Sequence, residues 1–205
     1  MQTDLTDLEL LLRSRIPIIA VSSNEEERVV DIFRALQADR EQALFKWTVT
    51  DGMTRMDKNM GSQAFVKKPH DALSQIRSTP KAGIYLLLDF HPYLDDPIAV
   101  RLLKEIALSH AAVPHVVVLV SHDIAVPDEL KSLTANFSLA LPSPEVITQI
   151  IRDVAADWSA ANQGQKVNAD RESLDQLIRN LSGLTAHDAR TLAQQAIFNN
   201  GAILK

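Results

Sequence analysis

At 205 residues the chain is long enough to bury a sizeable core in one or two domains, and its 46% apolar and 23% charged residues sit near globular averages, which speaks against disorder. A net charge of −5, with no basic cluster beyond Lys67-Lys68, gives no electrostatic footprint for nucleic acid or an anionic membrane. The absence of cysteine excludes disulfide frameworks, thiolate zinc sites, iron–sulfur ligation and cysteine nucleophiles.

The N-terminal MQTDLTDLELLLRSR carries acids before its apolar run and no positive n-region, so it does not read as a signal peptide. Apolar runs such as residues 116–120 fall far short of the ~20 residues a membrane helix needs. A soluble, cytoplasmic protein is expected.

Leu5, Leu8, Leu11 and Leu12 stand at helical spacing over residues 4–13, and Pro17 limits that helix. Residues 16–21 form a strand-length apolar run. Ser22-Ser23-Asn24 then offer N-cap residues, and EEERVVDIFRAL reads as an amphipathic helix. Residues 44–50 are rich in strand formers and close on the turn signal Asp51-Gly52. Residues 53–68 are ambiguous, an irregular hairpin being one reading.

Pro69 suits the first position of a helix running to about Ser78. Residues 84–89 make a third strand. Asp95 or Asp96 caps a helix that Pro97 opens and that runs to about His110. Residues 115–121 form a fourth strand whose Val/Leu continuity implies burial on both faces. Residues 136–141 form a short fifth strand.

From Pro142 the pattern changes. Ser143-Pro144-Glu145 opens a long helix ending near Trp158, and AANQGQ reads as a polar linker. Two further helices follow, at about 170–181 and 186–200, parted by Ser182-Gly183-Leu184-Thr185. Thr185 with Asp188 resembles a capping box with Asp in the Glu position. Alternating strands and helices imply right-handed crossovers and a parallel sheet. The expected architecture is thus α/β, a five-stranded parallel sheet flanked by helices over residues 1–141, followed by a small all-helical subdomain over 142–205. The apolar ending AIFNNGAILK carries the expectation that chain continues beyond Lys205.

Open α/β sheets bind ligands outside the carboxyl ends of their strands. Here those ends present Ser22-Ser23, Asp89, Ser121-His122 and Pro142. A phosphate-binding loop needs G-x-x-x-x-G-K-[ST] between a strand and a helix. The corresponding SSNEEERVV has neither Gly nor Lys, and Glu25, Glu26 and Glu27 already bring negative charge to the helix N-terminus, where they would repel a triphosphate. An ATPase of this architecture commonly follows its Mg²⁺-associated aspartate with a glutamate that polarises water, whereas Phe90 follows Asp89 and cannot accept a proton.

Asp89 and Ser121 also fit the outline of a two-component receiver, with a phosphoacceptor Asp after strand three and a Ser/Thr after strand four. The acidic pair closing strand one and the Lys before Pro after strand five are replaced by Ser22-Ser23 and by Leu141-Pro142. Asp89 therefore stands open to three readings: metal ligand, phosphate acceptor, or the polar residue with which a core strand leaves the core. The six histidines show no H-x-x-x-H pairing, which leaves a histidine-based metal site with little support. There is no G-x-S-x-G elbow, and Trp47 and Trp158 read as core or interface aromatics.

RSRIPIIAVSSNEEERVVDIF, IYLLLDFHPYL, VVVLVSHDIAVPDELKSL and LALPSPEVITQII, in that order, resemble the N-terminal half of the AAA ATPases of the hypothetical-chloroplast-reading-frame (Ycf) type, over essentially the whole chain. The resemblance implies a degenerate AAA-like module preceding a catalytic AAA domain in the same chain. Residues 22–27, with Ser22, Ser23 and Asn24 first, take the P-loop place without its Gly and Lys. Asp89 matches the Walker B aspartate, and Phe90 departs from the glutamate. Ser121 with His122 takes the sensor-1 place, and LSGLTAHDARTLAQQAI resembles a helix of an AAA lid.

No Arg follows the fourth strand within residues 134–141, so an arginine finger is not expected. The functional expectation is a non-catalytic module serving regulation, assembly or partner recognition in a larger ATPase. No catalytic residue, metal ligand or cofactor is expected for this chain; ATP and Mg²⁺ are expected for the full-length parent. The alternatives are an unconventional nucleotide-binding module contributing to turnover, and a receiver-like phosphoacceptor. Homo-oligomerisation is implied for the full-length form, and neither nucleic acid nor membrane is an expected partner.

Overall fold

Strands that are apolar on both faces need cover on both sides, and this requirement shapes the first part of the chain. The computed structural model describes residues 2–38, 42–56, 66–198 and 201–203. The chain divides into two compact units, residues 1–139 and 140–205.

In the first unit the elements run α1 (Gln2–Arg13), β1 (Ile18–Ser22), α2 (Glu26–Gln37), β2 (Ala43–Thr48), β3 (Gly52–Arg55), α3 (Pro69–Ser78), β4 (Gly83–Leu88), a 3₁₀ turn (His91–Tyr93), α4 (Pro97–Leu108), β5 (Val116–Ser121), α5 (Asp128–Lys131) and β6 (Thr134–Phe137). They form one six-stranded sheet in the order β3-β2-β4-β5-β1-β6. Every pairing is parallel except β2 with β3. All residues of β4 and β5 are buried.

Successive strand residues point to opposite faces. Ile84, Leu86, Leu88, Val118 and Val120 join Leu8 of α1 and Val29 and Phe33 of α2 in one cluster. Tyr85, Leu87, Val117 and Leu119 join Leu73 and Ile76 of α3, Leu103 and Ile106 of α4 and Leu130 of α5 in the other. Each fully buried aliphatic side chain contributes on the order of 2 kcal/mol, so the two layers fix which face every strand residue takes.

The five expected strands are present and mutually parallel. The sheet gains a sixth, β3, because Gly52, at φ 76°, lets the chain reverse after the turn that closes β2. Residues 57–65, within the stretch read as an irregular hairpin, lie outside the described residues. β6 begins and ends earlier than expected: β1 pairs with it only as far as Val21 with Phe137, and residues 138–141 have no partner there. Pro69 and Pro97 open α3 and α4, and Asp96 caps α4 by accepting the Ile98 N–H at 2.8 Å.

The second unit holds α6 (Pro144–Ala161), α7 (Arg171–Leu181) and α8 (Ala186–Phe198). Its core is Ile147, Ile151, Val154, Leu181, Ala189, Ala193 and Ile197. α6 continues through Ala160 and Ala161, which had read as linker. A two-residue parallel ladder, β7 (Asn168–Ala169) with β8 (Ala202–Ile203), adds to a unit expected to be all helical. Thr185 accepts the Asp188 N–H at 3.1 Å and donates to its carboxylate at 2.8 Å, which forms the expected cap. No helix among the described residues is long and apolar enough to cross a membrane.

Two features of the structure set testable stabilities. Gly201 sits at φ 61°, and a Cβ there would collide with the Trp158 indole, whereas Gly164, at φ 81°, has nothing within 4 Å. Gly164→Ala is expected to lose about 1 kcal/mol from left-handed strain alone. Gly201→Ala is expected to lose at least about 2 kcal/mol, since the indole must also move; equal losses in denaturant melts would contradict the contact.

His115 is 1% exposed, donates from Nε2 to the Thr79 carbonyl at 3.0 Å, and leaves Nδ1 without a partner. Burial holds its pKa below the ordinary 6.5, with the nearby His110 charge acting the same way and the Thr79 bond opposing. The unfolded chain therefore takes up a proton that the folded state resists, so stability is complete above 6.5 and is lost as pH falls through that value. His115→Leu is expected to flatten the fall in Tm between neutral and mildly acidic pH.

Candidate functional site

β1 hands the chain to α2 on one face of the sheet, and β5 hands it to α5 on the other. The crevice between the carboxyl ends of β1 and β5 is thus a topological switch point, the place where such sheets offer room to a ligand. An open cleft of about 340 Å³ lies there, lined by Ser23, Asn24, Glu26, Asp89, Val120, Ser121 and His122. Of the residues singled out from the sequence, Ser23, Asn24, Asp89, Ser121 and His122 come together in this cleft. Ser22 is exposed at the end of β1, in register with Ser121, and does not line it.

Asp89 ends β4 with its N–H bonded to the Val120 carbonyl at 2.8 Å, so its backbone remains on the sheet. Its φ of 51° places it in the left-handed region, which Asp tolerates better than most side chains. The chain turns there, and Phe90 is wholly buried, edge-on to Trp47 at 5.4 Å and to Tyr93 at 5.3 Å. The position at which a glutamate would polarise water therefore points into an aromatic core.

Ser121, 3% exposed, closes β5. Its hydroxyl lies 2.7 Å from His91 Nδ1, 3.3 Å from His122 Nδ1 and 3.3 Å from Asp89 Oδ1, and the two imidazoles meet edge-on at 4.9 Å. A hydroxyl donating to the carboxylate and accepting from an imidazole N–H ties the ends of β4 and β5 together. The Ser121 carbonyl also accepts the Ser23 N–H at 2.7 Å, which holds the end of β1 to the same point.

Only Ser23, Asn24 and Glu25 separate β1 from α2. The Ser23 hydroxyl accepts the Glu25 N–H at 2.9 Å, using one of the amides a phosphate would need. Arg28, in the first turn of α2, donates to Glu25 Oε2 and to the buried Asp4 Oδ2, both at 2.8 Å. Partial burial raises the Glu26 carboxyl pKa above its usual 4.5; the Asp89 charge adds to this, Lys46 opposes it, and Glu27 adds to it. The cleft thus gathers like negative charge beside the helix N-terminus. Among the described residues no group of three or more His, Asp or Glu side chains is arranged to hold a metal ion. The link between β1 and α2 contains neither glycine nor lysine, and Glu26 and Asp89 are the two carboxylates that line the cleft.

Residues 4–139 match the family profile of the SpoVK-like AAA ATPase N-terminal domain, and residues 145–205 match that of the second domain. The chain belongs to the SpoVK-like AAA ATPases. Among curated relatives, the AAA domain-containing protein ycf46 of Trieres chinensis is 32% identical over 147 residues, covering 70% of this chain and 29% of that protein. Its counterpart from Pyropia yezoensis is 26% identical over 196 residues, covering 93% of this chain and 38% of that protein. The chain therefore spans well under half the length of these relatives.

The crystal structure of the FIGL-1 AAA domain in complex with ADP superposes with a TM-score of 0.55 at 14% identity, covering 91% of this chain and 63% of that one, and this places the fold among AAA domains. The Ycf-type resemblance of the sequence is met by both the family profiles and the ycf46 relatives.

Two groups beside the cleft of this SpoVK-like chain are not evident in the sequence. His91 makes the shortest contact to Ser121; its signal was its place two residues past the strand-ending Asp89, which a lone histidine does not advertise. The Asp4–Arg28–Glu25 bridge depends on α1 meeting α2, which neither helix reveals alone.

Since the raised pKa of Glu26 reflects a charge that folding disfavours, Glu26→Gln is expected to raise Tm at neutral pH. The gain should shrink as pH falls through the raised folded value and vanish below 4.5, where both states are protonated. Thermal melts across that range check it, and a gain independent of pH would refute the electrostatic account.

Proposed function

We propose that this chain is a non-catalytic, AAA-like N-terminal module of a larger ATPase, serving its regulation, assembly or partner recognition. It would comprise a degenerate α/β domain over residues 1–141 and a lid-like helical subdomain over 142–205, followed in the parent by a catalytic AAA domain that uses ATP and Mg²⁺. The observation that carries this reading is the three-residue link of Ser23, Asn24 and Glu25 between β1 and α2. It is too short to wrap a phosphate, has no glycine or lysine, and has its nearest arginine tied to two carboxylates. The burial of Phe90 supports the same reading, because the residue that directly follows Asp89 cannot accept a proton. A subunit in a ring-forming ATPase can keep its packing surfaces after losing its phosphate contacts, so homo-oligomerisation belongs to the proposal for the parent.

The exposed carboxylate of Asp89 at the cleft mouth favours one second reading, an unconventional nucleotide module that contributes to turnover in the full-length protein. Asp89→Asn separates the two, since Asn tolerates the left-handed backbone while removing the charge. Under the second reading ATPase activity of the full-length protein falls with Tm unchanged; under the first, activity is unchanged.

For the chain itself, titration calorimetry with ATP and Mg²⁺ is expected to show no saturable heat at micromolar concentrations. A micromolar Kd would overturn the leading reading.

A further inference from the structure

α4 turns Ala99, Leu102, Leu103 and Ile106 into the core and shows solvent a mixed stripe on its other side. Ile98, Arg101, Glu105 and Leu108 follow one another at spacings of three, four and three residues, which stacks them along one face of the helix. Ile98 is 58% exposed and Leu108 62%, so each end of the stripe is an uncovered branched aliphatic side chain.

The charged pair between them is bonded but not exhausted. Arg101 Nε donates to Glu105 Oε1 at 2.8 Å, and Arg77 of α3 donates from Nη1 to Glu105 Oε2 at 2.6 Å. A guanidinium carries five N–H donors, and a carboxylate has about four acceptor sites. Among the described residues Arg101 bonds through Nε alone, so its two amino groups have no partner, and its side chain is 65% exposed. Each Glu105 oxygen accepts one donor and has room for another. The two arginines also hold this carboxylate in one place, so little ordering would remain to be done on contact.

The stripe reads the same from either end, with its charges exchanged. Ile98 and Leu108 each lie five residues from Leu103, and Arg101 and Glu105 each lie two residues from it. At a rise of about 1.5 Å per residue, these pairs stand about 7.5 Å and about 3 Å above and below the level of Leu103. A second copy laid antiparallel about a two-fold axis at that level sets Ile98 against the copy's Leu108 and Arg101 against the copy's Glu105. Both contacts then occur twice. A parallel alignment would instead set arginine against arginine and glutamate against glutamate, and it would also align the helix dipoles side by side.

We propose that two copies of this chain associate through this face of α4, antiparallel about a two-fold axis at Leu103. One helix face is smaller than the roughly 800 Å² per partner of a standard interface, so the dimer is a weak one, with a Kd on the order of 100 µM. The contact belongs to the first unit alone and does not depend on whether the parent is an ATPase.

Sedimentation equilibrium of the 205-residue chain from about 10 µM to about 1 mM is expected to fit a monomer–dimer equilibrium. Ile98→Ser, at an exposed position outside the core, should weaken it at least about tenfold while the chain stays folded, because the lost contact counts twice. Arg101→Glu and Glu105→Arg each bring like charges together across the axis, so each variant alone should be monomeric. Mixed in equal amounts, the two variants present opposite charges to each other and should form a heterodimer within about threefold of the original affinity. Loss of fold cannot produce that recovery, since each chain keeps its own substitution. A chain that stays monomeric to about 1 mM, association that Ile98→Ser leaves unchanged, variants that do not recover on mixing, or growth beyond dimers, which a closed two-fold contact forbids, would each overturn the proposal.

Discussion

The first unit depends on one constraint: β4 and β5 are buried along their whole length, so the chain must place a helical layer on each face of the sheet. α1 and α2 supply one layer and α3, α4 and α5 the other. With both faces sealed by apolar contacts, polar chemistry is confined to the two ends of the strands. The carboxyl ends gather Ser23, Asp89, Ser121 and His122, while the amino ends leave a concavity edged by Arg55 and Lys81. The two ends differ in character as well as position, one rich in carboxylates and the other edged by cations.

At the carboxyl end several polar groups bond to one another within the chain. Ser121 ties together the ends of β1, β4 and β5, and Arg28 is held by Asp4 and Glu25. Removing one partner from such a partly buried ion pair leaves the other charge desolvated, which costs several kcal/mol. The Asp4–Arg28–Glu25 network therefore contributes to holding α1 on α2. These contacts hold α1, the end of β1 and the start of α2 together.

Much of this was legible in the residues. The continuous Val/Leu runs of β4 and β5 announced strands buried on both faces, and Pro69, Pro97 and Pro144 marked helix starts because each sits where no N–H is needed. The absence of Gly and Lys between β1 and α2 was visible at once. What could not be read were features created by distant parts of the chain meeting. β3 is a short mixed segment that becomes a strand only because β2 offers it an edge. His91 reaches Ser121 through a 3₁₀ turn that its local sequence does not announce, and the partner of Arg28 lies 24 residues away on another helix. The early end of β6 depends on where β1 stops, which is a property of the pair.

The left-handed backbone at Asp89 reverses the inside–outside parity of the residues around it. Along β4 the even-numbered Ile84, Leu86 and Leu88 face α1 and α2, while Tyr85 and Leu87 face the other layer. A strand continued without interruption would send Phe90 to the even side, yet Phe90 packs with Trp47 and Leu94 on the odd one. The single residue at φ 51° has thus shifted the count by one. Whatever side chain stands at position 90 is committed to the α3–α4 layer by backbone shape before its own chemistry matters. A glutamate at that position would have its carboxylate buried in the same aromatic layer.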